Sequence, residues 1–230
     1  MARGSGGATG GSGGAAGSGG SGGSGGAATC KTALGKAIKF VGGNTVDSVA
    51  GDLGTDGPQG DDARTLELWA KFTSATSWEQ EHTILELGVP PAQDNHNNVF
   101  GIDLSGRVDD NNGAFGPYVH GWSDNNGKDV KFAAPASAGW LHLSWAYDPT
   151  KEPNKRLEFT VNGDPIAVQF TQSEYDKTGG KLVLNKGYVL LGASQQFGPG
   201  GWDGVMDEVR IWKAYRTPQQ IKDNMRVIVK

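Results

Sequence analysis

Side chains that could bind a sugar cluster in one segment of the sequence. Tyr118, His120 and Trp122 alternate along a predicted strand, next to Asp124 and Asn125. Alternate residues of a strand share one face of a sheet. Aromatic rings stack on sugar rings, while carboxylates, amides and imidazoles bond the hydroxyl groups. This spacing therefore predicts a ligand-binding surface formed by these five residues.

A second candidate surface lies at a glycine-rich turn. Phe197 and Trp202 flank Gly-Pro-Gly-Gly at 198–201, where both rings would be available to a ligand. For Trp122 and Trp202, a place in the core remains an open alternative to binding. The tryptophans inside other alternating strands are expected in the core. These are Trp69, Trp140, Trp145 and Trp212.

Three segments are rich in the oxygen ligands that calcium prefers. They cover 94–98, 109–112 and 124–126, and Asp109 and Asp110 are candidate metal ligands. Asp and Asn are also common turn formers, because their side chains bond their own backbone. Turn formation therefore remains the alternative to a metal site.

The sequence lacks the common catalytic patterns. Glycoside hydrolases use a pair of carboxylates, which β-sandwich enzymes often carry as Glu-x-Asp-x-Glu on one strand, and no such run occurs. Glu79 and Glu81 have the spacing, but Gln80 between them and the polar setting favour a solvated loop. The four histidines lack zinc spacing, and neither a nucleophile elbow nor a phosphate loop is present. We expect a protein that is not an enzyme, with a hydrolase as the remaining alternative.

Composition limits the chain to one large domain and excludes several partners. The 230 residues are 36% apolar and carry a formal net charge of −4, which gives no electrostatic reason to bind nucleic acid. No apolar stretch is long enough for a transmembrane segment, and Cys30 is the only cysteine. The first residues lack the apolar core of a signal peptide. We therefore expect an extracellular protein to need an export signal from outside this sequence.

Residues 1–30 form a Gly-rich arm or linker with a period of three. Fourteen glycines fall in the first 29 residues, and from Thr9 to Thr29 every third residue is small. A period of three matches an extended polyproline-II-type helix, in which glycine allows close contact between chains. The arm is either a flexible tether or part of an ordered bundle in an oligomer or fibre. The candidate assembly residues are Ser12, Ala15, Ser18, Ser21, Ser24 and Ala27.

Residues 31–230 have the pattern of an all-β domain. Apolar and polar residues alternate through 66–72, 141–145 and most of 205–212, as in strands with one buried face. Asn162-Gly163 between two such runs predicts a type I′ hairpin. Thr217, Pro218 and Gln220 predict the capped start of one short C-terminal helix. We therefore expect two packed antiparallel sheets, one helix and an extended N-terminal arm.

Several segments together resemble the laminin-G-like or concanavalin-A-like lectin domains, over nearly all of 36–225. The resemblance implies a jelly-roll sandwich, which is a common scaffold for adhesion and glycan binding outside the cell. The segments that carry it are 37–43, 64–69, 140–148, 161–163, 190–193, 204–212 and 216–221.

The same resemblance implies a calcium site at the rim of the sandwich. Family members often hold calcium with help from an Asp in a Phe-Asp-Gly turn, where this sequence has Val41 instead. The resemblance places Asp207 in the last core strand, beside the first turn and Asn44. Asn44 and Asp207 are therefore further candidate ligands for Ca²⁺.

Two functions are compatible with these features. The first is a non-catalytic extracellular adhesive or structural module, assembled or displayed through the arm as a subunit of a fibre or oligomer. It is favoured because a monomeric lectin does not need an uninterrupted triplet repeat. The alternative is a tethered glycan-binding, lectin-like module, with or without calcium. The expected partners are other copies of the arm and a glycan or extracellular surface protein.

Overall fold

The chain divides into two units, Met1–Ala33 and Leu34–Lys230. In the computed structural model the described residues all belong to the second unit. The candidate assembly residues of the arm (Ser12, Ala15, Ser18, Ser21, Ser24 and Ala27) lie outside them, so the assembly hypothesis stays a prediction. The described residues are 36–41, 48–72, 82–88, 98–107, 115–125, 132–135, 139–167, 182–184, 187–193 and 202–227.

The described part of this unit contains twelve strands and one α-helix. The helix, α1, is Pro218–Asn224, and single 3₁₀ turns occupy Gly54–Asp56 and Pro153–Lys155. Strands β1 to β12 are Ile38–Phe40, Val49–Asp52, Arg64–Phe72, His82–Gly88, Asn98–Arg107, Phe115–Asn125, Phe132–Pro135, Trp140–Tyr147, Leu157–Val161, Asp164–Ile166, Tyr188–Leu191 and Gly204–Trp212.

The strands form two antiparallel sheets of six. Sheet A has the order β1-β12-β3-β8-β9-β10, and sheet B has the order β2-β11-β4-β5-β6-β7. Neighbours in the sheets are often distant in sequence, as in a jelly roll. This arrangement confirms the predicted all-β, two-sheet sandwich with one short helix.

The core lies between the sheets and follows from the alternation in the strands. Leu66 and Leu68 of β3 face inward from sheet A, and Phe100 and Ile102 of β5 face them from sheet B; all four are fully buried. Trp145 of β8 crosses the interface and stacks on Phe100, with ring centroids 5.3 Å apart. Because successive residues of a strand point to opposite faces, the polar residues between these core positions lie on the outer faces, where several of them, such as Glu67 and Asp103, are also buried.

The hairpin and the helix cap form as predicted. Asn162 and Gly163 have φ values of 55° and 79°, and they join β9 to β10 in a two-residue turn. Thr217 caps α1 by accepting a hydrogen bond from the backbone nitrogen of Gln220, while the Gln220 side chain accepts one from the Thr217 nitrogen. Among the described residues no helix is long and apolar enough to cross a bilayer.

The C-terminal segment covers part of the outer face of sheet A. Ile221 and Met225 are buried against it. The Trp69 indole nitrogen donates a hydrogen bond to the Met225 carbonyl at 2.8 Å, and Arg210 donates one to the Asn224 carbonyl at 3.1 Å. The chain itself therefore occupies the middle of this face.

Candidate functional site

Strand β6 carries the alternating residues that the sequence predicts to bind a sugar. Its Gly121 faces the core, because a Cβ added there would lie 2.4 Å from Cδ2 of Trp145 and 2.9 Å from Cδ2 of Phe159. The residues on either side of Gly121 therefore occupy the outer face of sheet B. This alternation brings four of the predicted residues to one face: Tyr118, His120, Trp122 and Asp124.

Two buried carboxylates lie on the same outer face. Asp103 of β5 pairs with His120, and it is 0% exposed. Glu86 of β4, which is 2% exposed, pairs with Gly101 of β5, and Gly101 in turn pairs with Trp122. Sequence reasoning missed both acids. Each stands between two apolar residues of an alternating run. This pattern would have placed both acids on the face that points away from the core.

The register produces a row across three strands that suits a hydroxyl-rich ligand. Glu86, Gly101 and Trp122 lie side by side, so an acid and an aromatic residue flank a position without a side chain. Aromatic residues provide a flat apolar surface for a sugar ring, while the carboxylate of Glu86, at 2% exposure, lies beneath the surface of the sheet. This combination of residue types can bind a carbohydrate along the sheet.

The other predicted ligand-binding residues do not all reach this face. Asn125 is the last residue of β6 and pairs with Asn98 of β5. By the alternation of the strand, this pair does not belong to the outer face. Phe197 lies outside the described residues.

Trp202 is a core residue, which corrects its assignment to a ligand-binding surface. Its side chain is 1% exposed. The ring centroid lies 5.7 Å from that of Phe40 and 6.1 Å from that of Phe72. Because the indole is enclosed by these two rings, no sugar can stack on it.

Trp140 is a surface residue, which corrects its assignment to the core. It is the first residue of β8 and is 40% exposed. Leu141, Leu143 and Trp145 of the same strand face the core, so Trp140 has the opposite orientation. The exposed indole lies on the outer face of sheet A.

The candidate metal ligands do not form a metal site within the described residues. Asp207 lies in β12, where its Oδ1 accepts a hydrogen bond from the Glu208 nitrogen at 2.8 Å. Nowhere in the described ranges do three His, Cys, Asp or Glu residues come together to hold an ion. The remaining candidates, Asn44, Asp109 and Asp110, lie outside those ranges, so calcium binding stays a prediction.

A second polar cluster lies on sheet A, beneath the C-terminal segment. Glu67 of β3 is fully buried, with His142 Nε2 3.4 Å from its Oε2 and Arg210 Nη1 3.7 Å from its Oε1. Burial alone would raise the pKa of Glu67, but His142, the Trp212 indole and Arg210 together hold it below the ordinary value of 4.5. Because the cluster is sealed from solvent, we assign it a structural role.

The Glu67 cluster makes stability depend on pH. A lowered carboxyl pKa stabilises the folded state above the ordinary value of 4.5, and this stabilisation is lost as the pH falls below it. Glu67→Gln should lower the free energy of unfolding at pH 7 by about 1.5–3 kcal/mol, the contribution of hydrogen bonds to a charged group. Urea unfolding at several pH values should show that the difference in free energy of unfolding between Glu67→Gln and the unmodified chain, the gap, becomes smaller in acid. Asp164→Asn, in an exposed ion pair, is the control and should show almost no gap. An equal gap at pH 7 and pH 3 would contradict the assignment.

Solved structures with the same architecture come from several kinds of protein. The native heptameric SAP-like pentraxin of Limulus polyphemus is 16% identical with a TM-score of 0.56, over 81% of this chain and 79% of that one. A putative carbohydrate-binding protein of Bacteroides ovatus is 20% identical with a TM-score of 0.54, over 84% of this chain and 49% of that one. The leech intramolecular trans-sialidase is 12% identical with a TM-score of 0.54, over 85% of this chain and 28% of that one. These identities establish a shared fold.

The sequence itself matches one protein family. No curated protein sequence matches the chain. The sequence model of the concanavalin A-like lectin/glucanases superfamily matches residues 46–222. This match covers well over half of the chain and includes every described strand except β1. The chain therefore belongs to the concanavalin A-like lectin/glucanases superfamily.

Proposed function

We propose that the domain is a non-catalytic carbohydrate-binding module whose ligand lies along the outer face of sheet B. The observation that carries this proposal is the row formed by Glu86, Gly101 and Trp122, with Asp103 and His120 paired beside it. Membership of a superfamily of lectins and glucanases supports the same ligand class. The Bacteroides ovatus structure, described as a putative carbohydrate-binding protein, supports it as well.

The burial of the two acids favours binding over hydrolysis. A glycosidase needs two carboxylates that reach the glycosidic bond from opposite sides. Asp103 is fully buried and Glu86 nearly so, which favours a supporting role beneath the surface. Incubation of the full chain with a polysaccharide that it binds should therefore release no new reducing ends. Release that is abolished by Glu86→Gln would show that the domain is a hydrolase.

A glycan array of neutral and acidic oligosaccharides tests the binding proposal. The full chain should bind at least one neutral glycan, and Trp122→Ala should weaken that binding by about 30-fold or more, as expected for a central aromatic contact. Trp140→Ala is the matched control, because it removes the same side chain from the other sheet. Repeating the array with a calcium chelator tests the calcium dependence.

Two results would count against this proposal. The first is an array without any binding, with and without calcium. The second is an equal loss of glycan affinity in Trp122→Ala and Trp140→Ala. That result would show that the affinity does not depend on the outer face of sheet B.

An adhesive or structural role remains a second candidate because of the triplet repeat in residues 1–30. In this role, arms of several chains associate outside the cell and display the sandwich domains together, which raises avidity for a surface glycan. Size-exclusion chromatography with light scattering should find oligomers of the full chain and monomers of a chain that begins at Lys31. Monomers of both chains would contradict assembly through the arm.

A further inference from the structure

We propose that Tyr188 of β11 is a specificity-determining residue of the site on sheet B, and that it selects long neutral oligosaccharides over disaccharides. This inference rests on the proposed function, because it extends the ligand from Trp122 to a second aromatic ring. Neither the family match nor the solved structures assign a role to Tyr188.

Tyr188 lies on the same face of sheet B as Trp122. The next residue of its strand, Val189, packs against the core, so Tyr188 points the opposite way. Its partner in β4 is Gly88, which follows the core residue Leu87 and therefore also belongs to the outer face. The ring of Tyr188 thus stands on the face to which β6 contributes Trp122.

The two aromatic residues are far apart on this face. Strands β4 and β5 lie between β11 and β6. Gly88, the partner of Tyr188, is two residues from Glu86, which belongs to the row that ends at Trp122. With strands about 4.8 Å apart and about 3.4 Å per residue, the backbones of Tyr188 and Trp122 are roughly 16 Å apart. This span is longer than a disaccharide, so only a longer chain can contact both rings.

Glycines occupy two of the positions between the rings. Gly101 is the direct partner of Trp122, and Gly88 is the direct partner of Tyr188. A glycine inside a strand often marks a place where a ligand approaches the backbone closely. Two aromatic residues with glycine beside each of them can therefore hold a sugar chain that runs across the strands.

The side chain of Tyr188 is available to a ligand. It is half-buried, and within the described ranges it forms no hydrogen bond, ring contact or ion pair. The hydroxyls of Tyr147 and Tyr215, in contrast, donate to the carboxylates of Asp61 and Glu158. Tyrosine combines an apolar ring with a hydroxyl that seeks a hydrogen-bond partner. Both parts suit a sugar unit, which has an apolar face and hydroxyl groups.

The charge around the two rings favours a neutral ligand. The two outer rows that contain Tyr188 and Trp122 also carry three acids, which are Asp52, Glu86 and Asp124. Neither lysine nor arginine occupies a paired position in these rows. Because like charges repel, a sugar chain with carboxylates or sulfates would be disfavoured here.

The dependence of affinity on chain length tests the role of Tyr188. The probes are cello-, malto- and manno-oligosaccharides, from disaccharide to hexasaccharide, titrated into the full chain. In at least one series the affinity should rise at least tenfold with length. Tyr188→Ala should remove this rise but change the affinity for the disaccharide less than twofold, whereas Tyr188→Phe, which keeps the ring, should retain most of the rise.

Two further variants complete this test. Trp122→Ala should weaken binding at every length, because its ring lies at the centre of the proposed site. Trp140→Ala, on the outer face of sheet A, is the control and should leave every affinity unchanged. The retained affinity for the disaccharide shows that Tyr188→Ala is folded.

Several outcomes would overturn the role of Tyr188. They are an affinity that does not depend on length, a full rise with length in Tyr188→Ala, and a loss in Tyr188→Ala that is equal for disaccharide and hexasaccharide. Tighter binding of oligogalacturonates than of the neutral series would also overturn it. If these results appear while Trp122→Ala still abolishes binding, the proposed function stands without Tyr188. An absence of binding to any probe would contradict both.

Discussion

Replacing Arg64 with methionine should lower the free energy of unfolding by about 3–5 kcal/mol, the usual cost of removing one partner from a buried charged network. Arg64 is the first residue of β3 and is fully buried. Nη1 donates to the carbonyls of Gly60 and Asp62 at 3.2 and 3.0 Å, and Nη2 donates to the carbonyl of Leu182. Methionine has a similar length but no donors, so three carbonyls would lose a partner.

The surroundings of Arg64 show why the charge is tolerated. Its guanidinium lies 4.6 Å from the ring centroid of Tyr147 and 5.0 Å from that of Phe100. Burial lowers the pKa of Arg64 to about 10, while Tyr147, Asp61 and Asp62 act in the opposite direction. The group therefore stays charged at neutral pH. Asp61 accepts a hydrogen bond from the Tyr147 hydroxyl, which completes the network.

Urea unfolding followed by circular dichroism measures the effect. The free energy of unfolding of Arg64→Lys should lie between those of the unmodified chain and Arg64→Met, because lysine keeps the charge but lacks the planar fork of donors. Arg226→Met, at an exposed position, should change stability by less than about 0.5 kcal/mol. A loss below about 1 kcal/mol in Arg64→Met would show that these carbonyls find other partners.

Trp202→Ala should destabilise the domain by about 3–5 kcal/mol, as is usual when a large aromatic side chain is removed from a core. The ring packs between Phe40 and Phe72, and a Cβ added at Gly204 would lie 2.2 Å from its Cζ2. Glycine at 204 thus makes room for the indole. The backbone nitrogen of Trp202 donates to the Gly192 carbonyl at 3.1 Å, and the alanine variant would keep this bond.

Trp140→Ala is the matched comparison for Trp202→Ala. Both variants remove an indole, but Trp140 is 40% exposed and Trp202 is 1% exposed. Thermal unfolding should show a large loss for Trp202→Ala and a change within about 0.5 kcal/mol for Trp140→Ala. Similar losses in both would contradict the difference in burial.

The sequence predicts most of the fold because the relevant signals are local. Alternation determines the strands, Asn162-Gly163 determines the hairpin, and Thr217 with Gln220 determines the helix start. These interactions involve residues close in the chain, so they can be recognised without knowing the sheet order.

The candidate site was predicted only in part, because its other components depend on distant contacts. The alternation of Tyr118, His120 and Trp122 is local. That Asp103 and Glu86 lie beside these residues follows only from the strand order β4-β5-β6. The burial of Trp202 likewise depends on Phe40 and Phe72, which are far from it in sequence. Trp140 is different, because its orientation follows from that of Leu141 beside it. Its place on the outer face was therefore predictable.

The indole signals of the seven tryptophans provide the most direct test of carbohydrate binding on sheet B. In a ¹H–¹⁵N spectrum of the full chain, each indole Nε1–H can be assigned by single Trp→Phe variants. Titration with the neutral oligosaccharide that binds best on the array should shift the signal of Trp122 in a saturable manner. The signals of Trp140 and of the buried Trp202 should stay in place. A saturable shift of another indole with Trp122 unchanged would contradict a binding site on the outer face of sheet B.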